Sequence, residues 1–163
     1  MDNPYKVHIT PDRVFVKIFE KASYLNCDPL RKFFEDQLKS GHSQFILDFQ
    51  DCSMIDSTFL GIVVSLTLKN RKKTNDGCVV LLNLKGRNLE TVQNLGIHQI
   101  ASVSEQPITC EKELENLSDN SDNSAADTQT IYDAHKALMN LNDKNLRVFS
   151  DVVSYLEQRK DTK

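Results

Sequence analysis

The chain has 163 residues, of which 39% are hydrophobic and 26% charged, enough apolar material for one ordinary domain with residues to spare for an appendage. A net charge of −3 argues against the basic face of a protein that binds nucleic acid directly. The short run Arg71-Lys72-Lys73 falls where a helix is expected to end, and there it suits the negative end of the helix dipole.

Tyr5 to Ile9 alternates apolar and polar residues, Pro11-Asp12 breaks the pattern, and Val14 to Phe19 resumes it, so a β-hairpin is expected. Asp28 is a plausible N-cap with Pro29 at the first helical position, and Leu30, Phe33, Phe34 and Leu38 recur at helical spacing, so Pro29 to Lys39 predicts an amphipathic helix ended by Gly41. Gln44 to Phe49 is nearly continuous in apolar residues and reads as a central strand covered on both faces. A polar loop over Asp51 to Ile55 and a second helix from Ser57 to Lys69 are expected next. Asn75-Asp76-Gly77 is a turn, Cys78 to Leu82 a buried strand, and Arg87 to Leu95 a helix with Gly96 as its C-cap. A short strand over Ile100 to Val103 and a helix over Thr109 to Leu117 complete the unit. The order β-β-α-β-α-β-α-β-α predicts an open α/β domain over residues 1–117, its sheet of four to five strands mixed but mostly parallel.

Ser118 to Ala126 repeats Ser, Asp and Asn without a large apolar residue, and residues 118–127 are expected to form a flexible linker. Beyond it, Ile131, Ala134, Leu138 and Leu141 form one helical stripe and Leu146, Phe149, Val153 and Leu156 a second, interrupted at Asn142-Asp143-Lys144-Asn145. Residues 128–160 therefore predict a tail of two helices that packs on the domain or forms a dimer with a second copy.

Cys27, Cys52, Cys78 and Cys110 make no CxxC pair, and His8, His42, His98 and His135 are scattered, so neither a metal site nor a cofactor is expected. The start Met-Asp-Asn-Pro is unlike a signal peptide, and the longest apolar run, Phe59 to Leu66, is far shorter than a membrane span needs. A cytoplasmic protein with reduced thiols is expected. Asp51 and Asp56 flank one loop, but no nucleophile and base converge on them in the sequence, so an enzyme is not expected.

The informative stretch runs from Asp48 to Ile62. A strand ends, polar residues follow, and Ile55-Asp56-Ser57-Thr58 opens an apolar helix. The plain reading is that Asp56 or Ser57 supplies an acceptor to the unpaired N–H groups of the helix start. The sharper reading takes the same geometry further. A hydroxyl at a helix N-terminus is exposed, and the dipole favours a phosphate there. Ser57 is then the candidate phosphorylation site with Thr58 the second choice, and Asp56 and Asp51 form its acidic surroundings. Leu60, Val63, Val64 and Leu68 suit a buried stripe, whereas Phe59, Ile62 and Leu66 form a second apolar row. That row, with Met54, is a candidate partner surface, unless the C-terminal helices fold back over it.

The pattern Asp-x-x-x-Ile-Asp-Ser-Thr-x-Leu-Gly at a helix start, together with Asn94-Leu-Gly-Ile97 ahead of the last strand, resembles the STAS domain of bacterial anti-sigma factor antagonists over residues 5 to 117. The resemblance implies a STAS-like fold and a non-enzymatic, phosphorylation-switched binding module that regulates sigma-factor-dependent transcription. In that family the serine after the aspartate is phosphorylated by the partner, an anti-sigma factor that is a serine kinase. The dephosphorylated form binds that kinase, and serine phosphatases reset the cycle. By motif, Ser57 matches the phosphorylated serine and Asp56 the acid before it, with Thr58, Leu60 and Gly61 following. Phe59 departs from the pattern, which often has a small residue, Gly or Ala, there. The rival expectation is a STAS scaffold subunit of a stress-sensing or lipid-transport assembly, never modified at Ser57.

Overall fold

The computed structural model describes residues 4–105, 114–117 and 124–160. Six strands and five helices follow in the order β1 (Tyr5–Ile9), β2 (Val14–Ala22), α1 (Asp28–Lys39), β3 (Gln44–Ile55), α2 (Ser57–Lys73), β4 (Cys78–Leu82), α3 (Gly86–Asn94), β5 (Ser102–Ser104), β6 (Glu115–Asn116), α4 (Thr128–Met139) and α5 (Asp143–Lys160). They build one mixed sheet in the order β5-β4-β3-β2-β1-β6. The pairs β2–β3, β3–β4 and β4–β5 are parallel, and β1 pairs antiparallel with β2 and with β6. The expected α/β class and the mostly parallel mixed sheet are both present, with one strand more than expected.

The extra strand lies where a helix is expected. Glu115 and Asn116 are extended and pair with Val7 and Lys6 on the free edge of β1. The rest of the expected helix, up to residue 113, lies outside the described residues. The hairpin Tyr5–Ala22 forms as expected, Ile9 standing opposite Val14 across the turn. In α1, Leu30, Phe33, Phe34 and Leu38 are all buried, and Phe34 meets Phe45 of β3 edge-on at 6.0 Å. Its cap differs from expectation. Cys27 stands at the N-cap without a side-chain hydrogen bond, and Asp28, one position inside, takes ion pairs with Arg31 and Lys32 at 2.9 and 3.2 Å.

Phe45, Leu47 and Phe49 alternate into the main core, which also holds the buried faces of α1, α2, α4 and α5. Ile46 points the other way and joins Phe15 and Leu82 in a small second cluster. Strand β3 does not stop at Phe49. It continues to Ile55 beside β2, whose register slips between Lys17 and Phe19 and between Glu20 and Lys21, with Glu20 in the left-handed region at φ 60°. Strand β3 therefore delivers its last residue directly to the start of α2.

The tail forms two helices, as its stripes predict, and both pack on the domain. Ala134, Leu138, Phe149 and Val153 are buried in the main core, whereas Leu146 is exposed. Ahead of α4, the Asp28 N–H donates to the Ser124 carbonyl at 3.1 Å, and the Ala126 N–H donates to the Tyr24 carbonyl at 2.7 Å. The end of the expected linker is thus tied to the loop between β2 and α1.

Candidate functional site

Asp56 is the N-cap of α2, with extended backbone at φ −110° and ψ 175°. One carboxylate oxygen accepts from the Phe59 N–H at 2.9 Å, which satisfies one of the helix's unpaired donors. The other accepts from the Tyr24 N–H at 2.8 Å. Asp56 therefore joins the β2–α1 loop to the start of α2, with both carboxylate oxygens engaged. Within that loop Asn26 accepts from the Tyr5 hydroxyl at 2.7 Å and from the Ser23 N–H at 3.1 Å.

Ser57 follows as the first residue of α2 and is half-buried. Its Oγ lies 2.8 Å from Nε2 of His135 on α4. The other ring nitrogen of His135, Nδ1, lies 2.8 Å from the Ile131 carbonyl, which can only accept, so Nδ1 carries the hydrogen. In the neutral ring Nε2 is then the acceptor and the Ser57 hydroxyl the donor. His135 is buried, and its ring meets Phe149 of α5 at a centroid distance of 5.8 Å.

One turn on, α2 and α4 touch backbone to backbone. A Cβ at Gly61 would run into the carbonyl and Cβ of Ala134. Glycine at this position lets α4 cross α2 at contact distance. A groove remains where α1, α2 and α4 meet, lined by Arg31, Glu35, Ile62, Leu66, Lys69 and Asp133. The far end of the tail is held separately. Asn142 and Asn145 each donate from Nδ2 to the Leu95 carbonyl, at 3.1 and 2.8 Å, just past α3.

The remaining candidates separate. Thr58 is buried, so of the two adjacent hydroxyls Ser57 is the more open. Asp51 is exposed and its ion pair, at 3.3 Å, is with Lys17 on β2. Phe59 is fully buried against Phe49 in an edge-on contact at 6.1 Å, and Ile62 and Leu66 are buried beside α4. None of these three is open to a partner while the tail is docked. Met54 is exposed, and so are Tyr24 and Leu25 in the loop tied to Asp56. These three supply the open apolar surface nearest to the start of α2.

Sequence reasoning missed His135. It stands between the buried Ala134 and Leu138 on the tail's first stripe, a position that signals an inward-facing imidazole but not its partner. Among the described residues, no cluster of three or more His, Cys, Asp or Glu side chains is placed to hold a metal, and no helix is long and apolar enough to cross a membrane.

No family model matches the chain, and no curated protein does. Solved structures do match. The unphosphorylated form of the anti-sigma factor antagonist SpoIIAA is similar over 63% of this chain and 89% of its own, with 17% identity and a TM-score of 0.52. The phosphorylated form of SpoIIAA, a Bacillus cell-fate determinant, gives 16% identity, 63% and 92% coverage and a TM-score of 0.51. A Thermotoga maritima protein described as an anti-sigma factor antagonist gives 20% identity, 65% and 87% coverage and a TM-score of 0.56. The chain therefore has the STAS-like fold of the anti-sigma factor antagonists. At these identities the likeness speaks for the fold.

Proposed function

We propose that the protein is a cytoplasmic, non-enzymatic binding module switched by phosphorylation of Ser57. Unphosphorylated, it binds a serine kinase that is also an anti-sigma factor, and so frees a sigma factor for transcription. The kinase transfers the γ-phosphoryl group of ATP to Ser57 Oγ, with ADP and the hydroxyl proton leaving. The added charge repels the partner, and a serine phosphatase restores the hydroxyl. The observation that carries this reading is the position of Ser57, half-buried at the first position of α2 and directly after the capping Asp56. There the helix dipole and the unpaired N–H groups favour a phosphate. Met54, Tyr24 and Leu25 offer the partner an apolar foothold beside it.

A pull-down with the cognate kinase tests the reading. Ser57→Ala is expected to recover the partner at least as well as wild type does, and Ser57→Asp to recover much less. Equal recovery by all three proteins would defeat the switch.

One observation favours a second reading, a STAS scaffold subunit of a stress-sensing or lipid-transport assembly that is never modified. The Ser57 hydroxyl is already engaged by His135 beneath the tail. For such a scaffold, prolonged exposure to the kinase and ATP would leave the serine unmodified.

A further inference from the structure

Three features of the α2–α4 crossing converge on Ser57. Its hydroxyl is bonded to a buried imidazole whose other nitrogen is already committed to the Ile131 carbonyl. The helix backbones touch at Gly61 and Ala134, one turn from that bond, so α4 has no slack to move aside while it stays seated. The same helix lies beside Ile62 and Leu66, the apolar row of α2 expected to meet a partner.

We propose that the α4–α5 hairpin is a built-in competitor for the Ser57 end of α2, so that a phosphate on Ser57 and a docked hairpin exclude one another. This rests on reading Ser57 as the modified residue. Esterification removes the only proton on Oγ, so Ser57 can no longer donate to Nε2 and the bond that seats the buried ring is lost. The phosphate also needs room where the ring of His135 now stands, and its two charges would sit beside an imidazole packed on Phe149. Both effects favour release of α4, and α5 follows because Phe149 and Val153 lose the surface they cover. The coupling works in both directions. Whatever holds the hairpin down protects Ser57 from a kinase, and whatever lifts it uncovers the hydroxyl together with Ile62 and Leu66. In the unphosphorylated protein a partner for that row then binds in proportion to the fraction of molecules with the hairpin released, whereas on the phosphoprotein the added charge repels the kinase although the row is uncovered.

The test uses the full chain with phosphoserine incorporated at position 57 during synthesis, so no kinase is involved and its outcome is independent of whether one exists. Amide hydrogen exchange is compared among the phosphoprotein, the unmodified protein and Gly61→Ala. Alanine at that position wedges α4 from α2 without touching Ser57, and it favours the helix it sits in. In the phosphoprotein and in Gly61→Ala, the amides of α4 and α5 are expected to exchange about ten-fold faster or more, with β3 and β4 unchanged. Unchanged exchange in α4 and α5 of the phosphoprotein would overturn the proposal. So would slower exchange, the mark of an imidazolium–phosphate pair that tightens the hairpin, and so would a loss of protection spread over β3 and β4. Failure of the switch itself would show instead as equal recovery of the three proteins in the pull-down, a readout separate from amide exchange in the chain without its partner.

Discussion

Asp56 and Ser57 are neighbours with opposite duties. Asp56 spends both carboxylate oxygens on backbone N–H groups, those of Phe59 and Tyr24, and so holds the site together. Replacing it by alanine is expected to lower stability by about 2 kcal/mol, the cost of a lost N-cap together with the lost bond to the Tyr24 N–H. Asp56→Asn, which keeps one acceptor, should cost less, and urea denaturation measures both. Ser57 makes a single side-chain bond, to a residue of the tail, and so is free to change chemically without dismantling α2. Cys27, fully buried at the N-cap of α1, has its thiol pushed up from the ordinary 9.0 to about 12, chiefly by burial and in smaller part by the nearby Asp56 and Asp28. Between pH 9.0 and about 12 the unfolded chain therefore loses this proton while the native chain keeps it, so stability falls as pH rises through that window and is untouched below it. In Cys27→Ala the alkaline fall in Tm should be shallower than in wild type.

At the scale of elements, what was legible depended on whether a residue's partners are local. The stripe Leu30, Phe33, Phe34, Leu38 announces α1, and Asp56 ahead of an apolar run announces α2, because caps and helical periodicity act within a few residues. The extension of β3 to Ile55 was hidden, because Gln50, Asp51, Ser53 and Met54 are exposed and read as loop. Only pairing with the slipped register of β2 makes them a strand. Strand β6 was hidden for the same reason. Glu115 and Asn116 have no strand pattern of their own and take one from the edge of β1. The Ser57–His135 bond joins residues 78 positions apart, which no periodicity reports. The hairpin itself was legible from its stripes, and its docking depends on the burial those stripes provide. Leu138 is fully buried in α4, so Leu138→Ala is expected to cost about 2–4 kcal/mol. The loss should appear first as faster amide exchange in α4 and α5.

The whole molecule places its chemistry at one end. β2 and β3 run parallel and deliver Tyr24, Leu25, Met54, Asp56 and Ser57 to the same edge of the domain. The tail then crosses α2 and covers half of what that edge would offer, burying Ile62 and Leu66 and leaving Tyr24, Leu25 and Met54 open. A charge at Leu25, the most exposed of the three, should change stability by no more than about 0.5 kcal/mol, as for other surface positions. Leu25→Glu should nevertheless reduce recovery of the kinase in the same pull-down. The most direct measurement is the intact mass of the full chain after incubation with ATP and the serine kinase proposed as its partner. The expected result is one added phosphate on the wild type and none on Ser57→Ala. A wild-type chain that gains no phosphate, or a Ser57→Ala chain that still gains one, would contradict it.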